Sequence, residues 1–495
     1  MKRIILLILC VAMCVPLFVA CDSDEPKDTV ASTTPNTTGS VSTDDVTEKK
    51  SEYEGVAKNN YDGYLFKIYY MDDYLGTVSK DFVCSNPNGN VLNDQVYQRN
   101  TMVETDYNIN IFVQPYTGNT EHETLLYSQY VAGWTEGDYN MVAGFGRGTL
   151  AFSTKGYMAD LGSYDEIDLY KEYWEQGFID ELMIDDSIYA ILGDISLTVQ
   201  LAQQSICFNK NLFKQRGFDE PYDLVRTYEW TVDRLIEYMD GFAQDYDSDG
   251  YDWDKDRFAI SGWAVECAYG LFYASGFKYA KNDGETITLD FDREFLDDVI
   301  DKTIEVWGDN GACFINTGKS ADHHKPHEVF ATGRGLFCDI TLGKIAMFFT
   351  DMDDDYGVLP EPMFNEEQKQ YYSYTAYTIP MIVVPATDPN PSRTGNIIEA
   401  FCAASADVVI PKMYEIVTKI QNARDEDSAE MIDIICKTQA YDASHWLGLY
   451  GIEGMIRSLI QEGTNISASY LKTYYATAEK NLNDFMEAYA ALKSK

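Results

Sequence analysis

The chain has 495 residues, of which 45% are hydrophobic and 24% charged, a balance that excludes a wholly unfolded or collagen-like protein. Against 38 Lys and Arg stand 80 Asp and Glu, a formal charge of −42. A field of that sign repels phosphate backbones and anionic headgroups, so nucleic acid is excluded as a partner. Aromatics make up 14%, with 37 Tyr, and such amphipathic rings serve both a core and stacking surfaces.

Lys2 and Arg3 precede a 17-residue apolar run, Ile4 to Ala20. That length is short for a membrane span and suits a signal peptide over residues 1–20. The run closes Leu17-Phe18-Val19-Ala20-Cys21, a lipobox-like end with Phe18 where Leu is commoner. Cys21 is therefore the expected lipidation site, carrying palmitate as a lipoprotein. Residues 21–57 are rich in Asp, Glu, Ser, Thr, Pro and Lys and predict an unstructured tether with a reach of ~30–36 Å. The expected location is the outer face of the cell membrane, lipid-anchored. Seven cysteines remain after Cys21, widely spaced and without a C-x-x-C, which reads as buried free thiols.

In chain order, Tyr64–Met71 predicts a strand, Leu92–Val103 a helix, Ile109–Val113 a strand, Glu121–Ala132 a helix and Tyr139–Ala143 a strand. Ser205–Phe208, Phe258–Ser261, Gly335–Phe337, Tyr356–Leu359 and Met381–Val384 follow as strand candidates. Thr231–Phe242, Asn396–Ala404, Pro411–Gln421, Ala429–Lys437 and Thr473–Leu492 read as helices. Alternating strands and helices argue for parallel α/β sheets, and about 435 ordered residues suffice for two such lobes.

Residues 245–256, DYDSDGYDWDKD, carry the spacing of a calcium loop. Asp245, Asp247 and Asp249 supply alternate carboxylates, Gly250 the tight turn, Tyr251 a carbonyl and Asp256 the twelfth position. Calcium wants six to eight oxygens, and so many carboxylates with one Lys repel each other without a cation. A structural calcium ion is expected there; a solvated acidic loop is the alternative. His323, His324 and His327 form a second cluster but lack the H-E-x-x-H order, so a solvated surface is expected rather than zinc. Gly318-Lys319-Ser320 lacks the first glycine of a P-loop, the glycines after Ala143 lack the last of G-x-G-x-x-G, and no G-x-S-x-G occurs. Paired carboxylates for glycoside hydrolysis carry no weight among 80 acids.

Several segments, in order, resemble one family. Gly137-Asp138-Tyr139-Asn140-Met141-Val142 is similar to its "G-x-Y-D-L-V" third strand, and Met158-Ala159-Asp160-Leu161 to "L-x-D-L". Residues 189–196, YAILGDIS, resemble the "Y-x-x-x-G-D-I-S" crossover. Phe208-Asn209-Lys210-Asn211-Leu212 resembles "F-N-K-x-L", Glu229-Trp230-Thr231-Val232-Asp233 "W-T-W-D-x-L", and residues 353–362 "D-x-D-F-G-x-L-P-x-P". Residues 393–400 and 428–440 resemble the closing helices. The chain, from about residue 60 to 450, thus resembles the family 1, maltose-binder-like extracellular solute-binding lipoproteins of bacterial ABC importers. That implies a two-lobed periplasmic-binding-protein-like (type II) α/β fold with a hinge and an interlobe cleft. Lobe one would be 58–190 with 371–422, and lobe two 191–370 with 423–495. Relatives that bind large acidic polysaccharide fragments carry a calcium loop in lobe two.

The resemblance also implies a ligand site built from Phe145, Arg147, Asp194, Ser196, Trp263, Tyr269, Asp339, Tyr441 and Trp446. Rings stack on sugar C–H faces, while Arg and carboxylates bond hydroxyls. For any one of these rings core packing is an equal possibility, and Trp174 and Trp230 are assigned to the core. The expected function is capture of a carbohydrate, an oligosaccharide, for ABC permease subunits by a monomeric, non-catalytic receptor. A peptide receptor, a surface glycoside hydrolase and a calcium-dependent adhesin are the alternatives.

Overall fold

The computed structural model describes residues 50–72, 81–82, 86–87, 89–117, 133–135, 137–308, 313–316, 322, 324–420, 426–449 and 453–493. The signal segment, Cys21, most of the tether, Cys84, His323 and the helix expected over 121–132 lie outside them.

The strands in chain order are β1 (Tyr64–Asp72), β2 (Ile109–Thr117), β3 (Met141–Phe145), β4 (Gln204–Asn209), β5 (Phe258–Trp263), β6 (Ala280–Asn282), β7 (Ile287–Leu289), β8 (Cys313–Asn316), β9 (Gly335–Thr341), β10 (Tyr356–Leu359), β11 (Ser373–Tyr374), β12 (Pro380–Val383) and β13 (Gln439–Ala440). Lobe one is built on the sheet β12-β3-β1-β2, and lobe two on β10-β4-β9-β5-β8. Neither sheet is purely parallel, which corrects the reading from alternation. β1 runs parallel to β2 and β3, and β5 to β8 and β9, but β12 and β4 are antiparallel to their neighbours. The reason is topological: β4 and β12 are the strands by which the chain enters each lobe from the other one. They run away from the junction, whereas β3, β5 and β9 end at it.

Local sequence fixes the helices between. Helix Val91–Tyr107 starts at Asn90, whose side chain accepts from the amides of Leu92 and Asn93, and stops at Asn108 in the left-handed region. Thr231 caps helix Val232–Met239 through the amide of Arg234. Trp174 and Trp230 are fully buried, as expected, their indoles donating to Glu399 Oε2 (3.1 Å) and to the carbonyl of Pro360 (2.9 Å).

Two boundaries differ from expectation. The tether does not run to residue 57: Asp407 accepts from Ser51 Oγ (2.5 Å) and from the amides of Glu52 and Tyr53 (3.1 Å each), and Tyr53 is buried. A lone aromatic in a polar segment was an anchor. The long helix Ser467–Lys493 touches both lobes. Ser467 Oγ bonds Asp297 in lobe two, and Tyr489 donates to the carbonyl of Ser187 (2.5 Å) on the segment packed beneath lobe one. Among the described residues no helix is long and apolar enough to cross a membrane. Six of the seven remaining cysteines are described, all free and five buried.

Candidate functional site

The lobes meet where β3 ends. Phe145 and Arg147, expected just past that strand, are its last residue and the second residue of the short helix Gly146–Leu150. Gly146 between them is required by space: a Cβ would come within 2.5 Å of the Tyr377 carbonyl and 3.2 Å of Trp446. This close approach carries Arg147 onto the segment that returns from lobe two. Its guanidinium lies 3.9 Å over the Tyr377 ring, a cation–π stack.

Arg147 Nη2 also lies 3.4 Å from His445 Nδ1, and Tyr374 Oη lies 3.2 Å from His445 Nε2. A guanidinium only donates, so Nδ1 is the acceptor and the imidazole proton sits on Nε2, facing Tyr374. Burial, with the Arg147 charge second, holds His445 well below its ordinary pKa, so it stays neutral. Around it stand the rings of Tyr269 (5.1 Å between centroids), Tyr273 (5.2 Å), Tyr374 (5.4 Å) and Tyr377 (5.6 Å), mostly edge to face. Tyr269 and Tyr273 are four apart on helix Ala264–Ala274 and so share a face. Trp446 and Tyr441 complete the cluster from behind, against Phe178. Beneath them Glu175 is buried, accepting from Tyr441 Oη (3.3 Å) and Gln200 Nε2 (3.0 Å), and burial pushes its carboxyl up to about 7. The strand pair β11–β13 brings Tyr374 and the 441–446 segment to the same place.

Five of the nine expected ligand residues therefore converge: Phe145, Arg147, Tyr269, Tyr441 and Trp446. Arg147 and Tyr377 are half-buried and form its open edge; Tyr269, Tyr441 and Trp446 are buried. The other four lie elsewhere. Ser196 is buried and spent on Asp81 Oδ2 (2.6 Å), beside the buried Arg99. Asp194 is half-buried at the crossover, its amide on the Tyr173 carbonyl (2.9 Å). Trp263 is the last residue of β5, half-buried. Asp339 is inside β9, not after it, because the strand runs on to Thr341; it is buried under helix Ala264–Ala274. Sequence reading missed His445, Tyr273, Tyr374 and Tyr377. The run Tyr371-Tyr372-Ser373-Tyr374-Thr375-Ala376-Tyr377, at a lobe boundary, was the available signal.

In the acidic loop, carboxylate oxygens of Asp245, Asp247 and Asp249 lie within 4.8 Å of one another. Asp245 accepts from the amides of Ser248 (2.7 Å) and Gly250 (3.0 Å), and Gly250 turns at φ +106°. Asp256 is not part of that group. It is buried, its two oxygens accepting from the amides of Tyr246 (3.0 Å) and Asp252 (2.7 Å), so it ties the loop's ends. Tyr251 lies exposed with its ring on Phe258 (5.5 Å). Lys255 Nζ sits 3.4 Å from Asp247, 3.7 Å from Asp249 and 3.6 Å from Asp252. Asp249 is pushed up, chiefly by its hydrogen bond with Asp247, the crowding that a cation relieves. The three carboxylates and the turn fit a hard cation. His327 corrects the solvated reading of the histidine cluster: it is buried against Phe348 (4.4 Å), whereas His324 is half-buried and lies 3.8 Å from Glu328.

No family model and no curated protein matches the chain. Solved structures do. An ABC substrate-binding protein from Listeria monocytogenes in complex with cycloalternan aligns at TM-score 0.54 and 16% identity, over 86% of this chain and all of that one. The fold is that of the two-lobed ABC solute-binding proteins. The galacto-N-biose-/lacto-N-biose I-binding protein of a Bifidobacterium longum ABC transporter, in complex with lacto-N-biose, aligns at TM-score 0.55 and 13% identity, over 86% and 99%. UspC of M. tuberculosis aligns at 0.54 and 12%, over 84% and 100%.

Proposed function

We propose that this chain is the carbohydrate receptor of an ABC importer, closing its lobes on an oligosaccharide and catalysing nothing. The observation that carries the reading is the ring cluster at the lobe junction, built from both lobes and edged by Arg147 stacked on Tyr377. Ring faces match sugar C–H faces, and a guanidinium donates to hydroxyls without reacting with them. The sugar complexes among the fold's relatives support the ligand class. The 1–20 signal, Cys21 and the segment after it support a lipid-anchored receptor outside the membrane, delivering to permease subunits as a monomer. The loop at Asp245, Asp247 and Asp249 is proposed to hold a structural calcium ion, with the Tyr251 carbonyl as a further ligand and Asp256 closing the loop rather than facing the ion.

The test is a thermal-shift screen of the purified protein against mono- and oligosaccharides, since a ligand of the folded state alone raises the melting point. A rise with a glycan that grows with chain length is expected. A rise with peptides and none with glycans would overturn the carbohydrate reading, and turnover of a glycoside would overturn the non-catalytic one.

A further inference from the structure

At the junction-facing end of the second sheet, five buried oxygens have nothing to accept from: Glu361 Oε1 and Oε2, Asp339 Oδ2, Glu266 Oε2 and Gln204 Oε1. Asp339 and Glu361 are each 1% exposed. They come together because β4 and β9 are antiparallel, with Ile206 opposite Asp339, so Gln204 and Asp339 share a face. Glu361 follows β10, the other neighbour of β4. Gln204 Nε2 donates to Asp339 Oδ1, and the two carboxyls are within hydrogen-bonding reach of each other.

The groups packed around the pair leave it short of donors. From helix Ala264–Ala274 come Glu266 and Cys267, and from helix Leu342–Phe349 Lys344, while Cys207 of β4 and Cys338 of β9 lie on the opposite face of the sheet. The thiols are pushed up by burial and carry no charge. Lys344 Nζ is spent on Glu266 Oε1 at 2.5 Å. Two adjacent buried carboxylates with no cation between them are unsustainable, and the least costly remedy is a proton held between them.

We propose that Asp339 and Glu361 share one proton, and that its loss loosens helix Ala264–Ala274, tying the ring wall of the junction to pH. The link is contact. A Cβ on Gly270 would lie 2.9 Å from Glu361 Oε1 and 3.3 Å from Asp339 Oδ2, so the pair presses on the helix backbone beside Tyr269. Repulsion between two charges there pushes on the helix that carries Tyr269 and Tyr273. Burial raises both carboxyls, and the charge of Glu361 raises Asp339 further, so the pair holds its proton to a higher pH than free carboxyls do.

The experiment uses the full chain and needs no ligand, so it stands or falls apart from the carbohydrate reading. Melting curves from pH 5 to 8 are taken for wild type, Glu361→Gln and Asp339→Asn, with infrared spectra of the carboxyl region and near-ultraviolet circular dichroism. Wild type should lose stability as pH rises, with each variant's profile flatter by about one proton of linkage. The protonated-carboxyl band at pH 6, to which Glu175 and Glu399 also contribute, should be weaker in Asp339→Asn than in wild type. The aromatic dichroism should change between pH 6 and 8 in wild type and stay constant in Glu361→Gln. Parallel pH profiles in all three proteins, an unchanged infrared band or an aromatic signal indifferent to pH in wild type would overturn the proposal. If one variant fails to fold, the other carries the comparison.

Discussion

In the loop 245–256 the carboxylates of Asp247 and Asp249 lie at the surface, one Lys leans over them, and backbone amides take up Asp245 and the buried Asp256. At Asp339 and Glu361 the same kind of group lies in the interior with no cation of its own. Solvent and Lys255 let the first set stay charged, and Asp247 is even held below its ordinary range, first by its hydrogen bond with Asp249. Burial drives the second set towards the neutral form. Identical side chains thus answer to opposite ligands: the loop is suited to a metal ion, the buried pair to a proton.

The difference can be broken most forcefully at Lys344. Lys344→Met leaves the Glu266 side chain, 12% exposed, beside the acid pair without its partner, and such a loss costs about 3–5 kcal/mol. Denaturant unfolding should report it; a loss below ~1 kcal/mol would mean that water reaches this corner.

pH gives the next effect. Glu175, Glu361 and Glu399 are raised to about 7 and Asp442 to about 6, in every case first by burial. The folded state therefore holds protons that the unfolded chain has released by pH ~5. Stability is fullest at the acid end of this window and falls as pH rises from about 5 to 8. Calorimetric melting in that range checks the sign, and a rising or flat profile would contradict these environments.

Smaller effects belong to the surface loop. Asp247→Ala should lower the melting temperature in calcium and leave it nearly unchanged in EDTA. Lys255→Ala removes the side chain that stands in for a cation, so calcium binding should tighten in a direct titration. Equal destabilisation by Asp247→Ala in both buffers would leave the loop without an ion.

These contrasts also mark what could be read from the chain. The acidic loop was legible because its chemistry is local: a spacing within twelve residues fixes which carboxylates meet. Asp256 lies outside that group and accepts from two amides; a capping carboxylate and a metal ligand look alike in sequence. Strand cores such as Tyr356–Leu359 were legible by pattern, and the order of short motifs carried the two-lobed fold. Strand direction was not, because β4 and β12 reverse only where the chain changes lobe. The junction was half legible. Arg147 and Tyr269 were found, but His445, whose rings come from residues 269 to 377, is specified by contacts between distant segments. Nothing local separates Glu361 from the other 79 acids; its role arises from lying beside Gln204 and Asp339 beneath a glycine.

The most direct test of the account is a calorimetric titration of a linear oligosaccharide series into wild type and Arg147→Ala. Arg147 sits at the open edge of the junction, and the loss of a charged donor there should weaken binding about tenfold or more at unchanged stoichiometry. The melting temperature without sugar should move by only a few degrees. Equal affinity in the two proteins, or no heat from any glycan in wild type, would contradict a sugar held between the lobes.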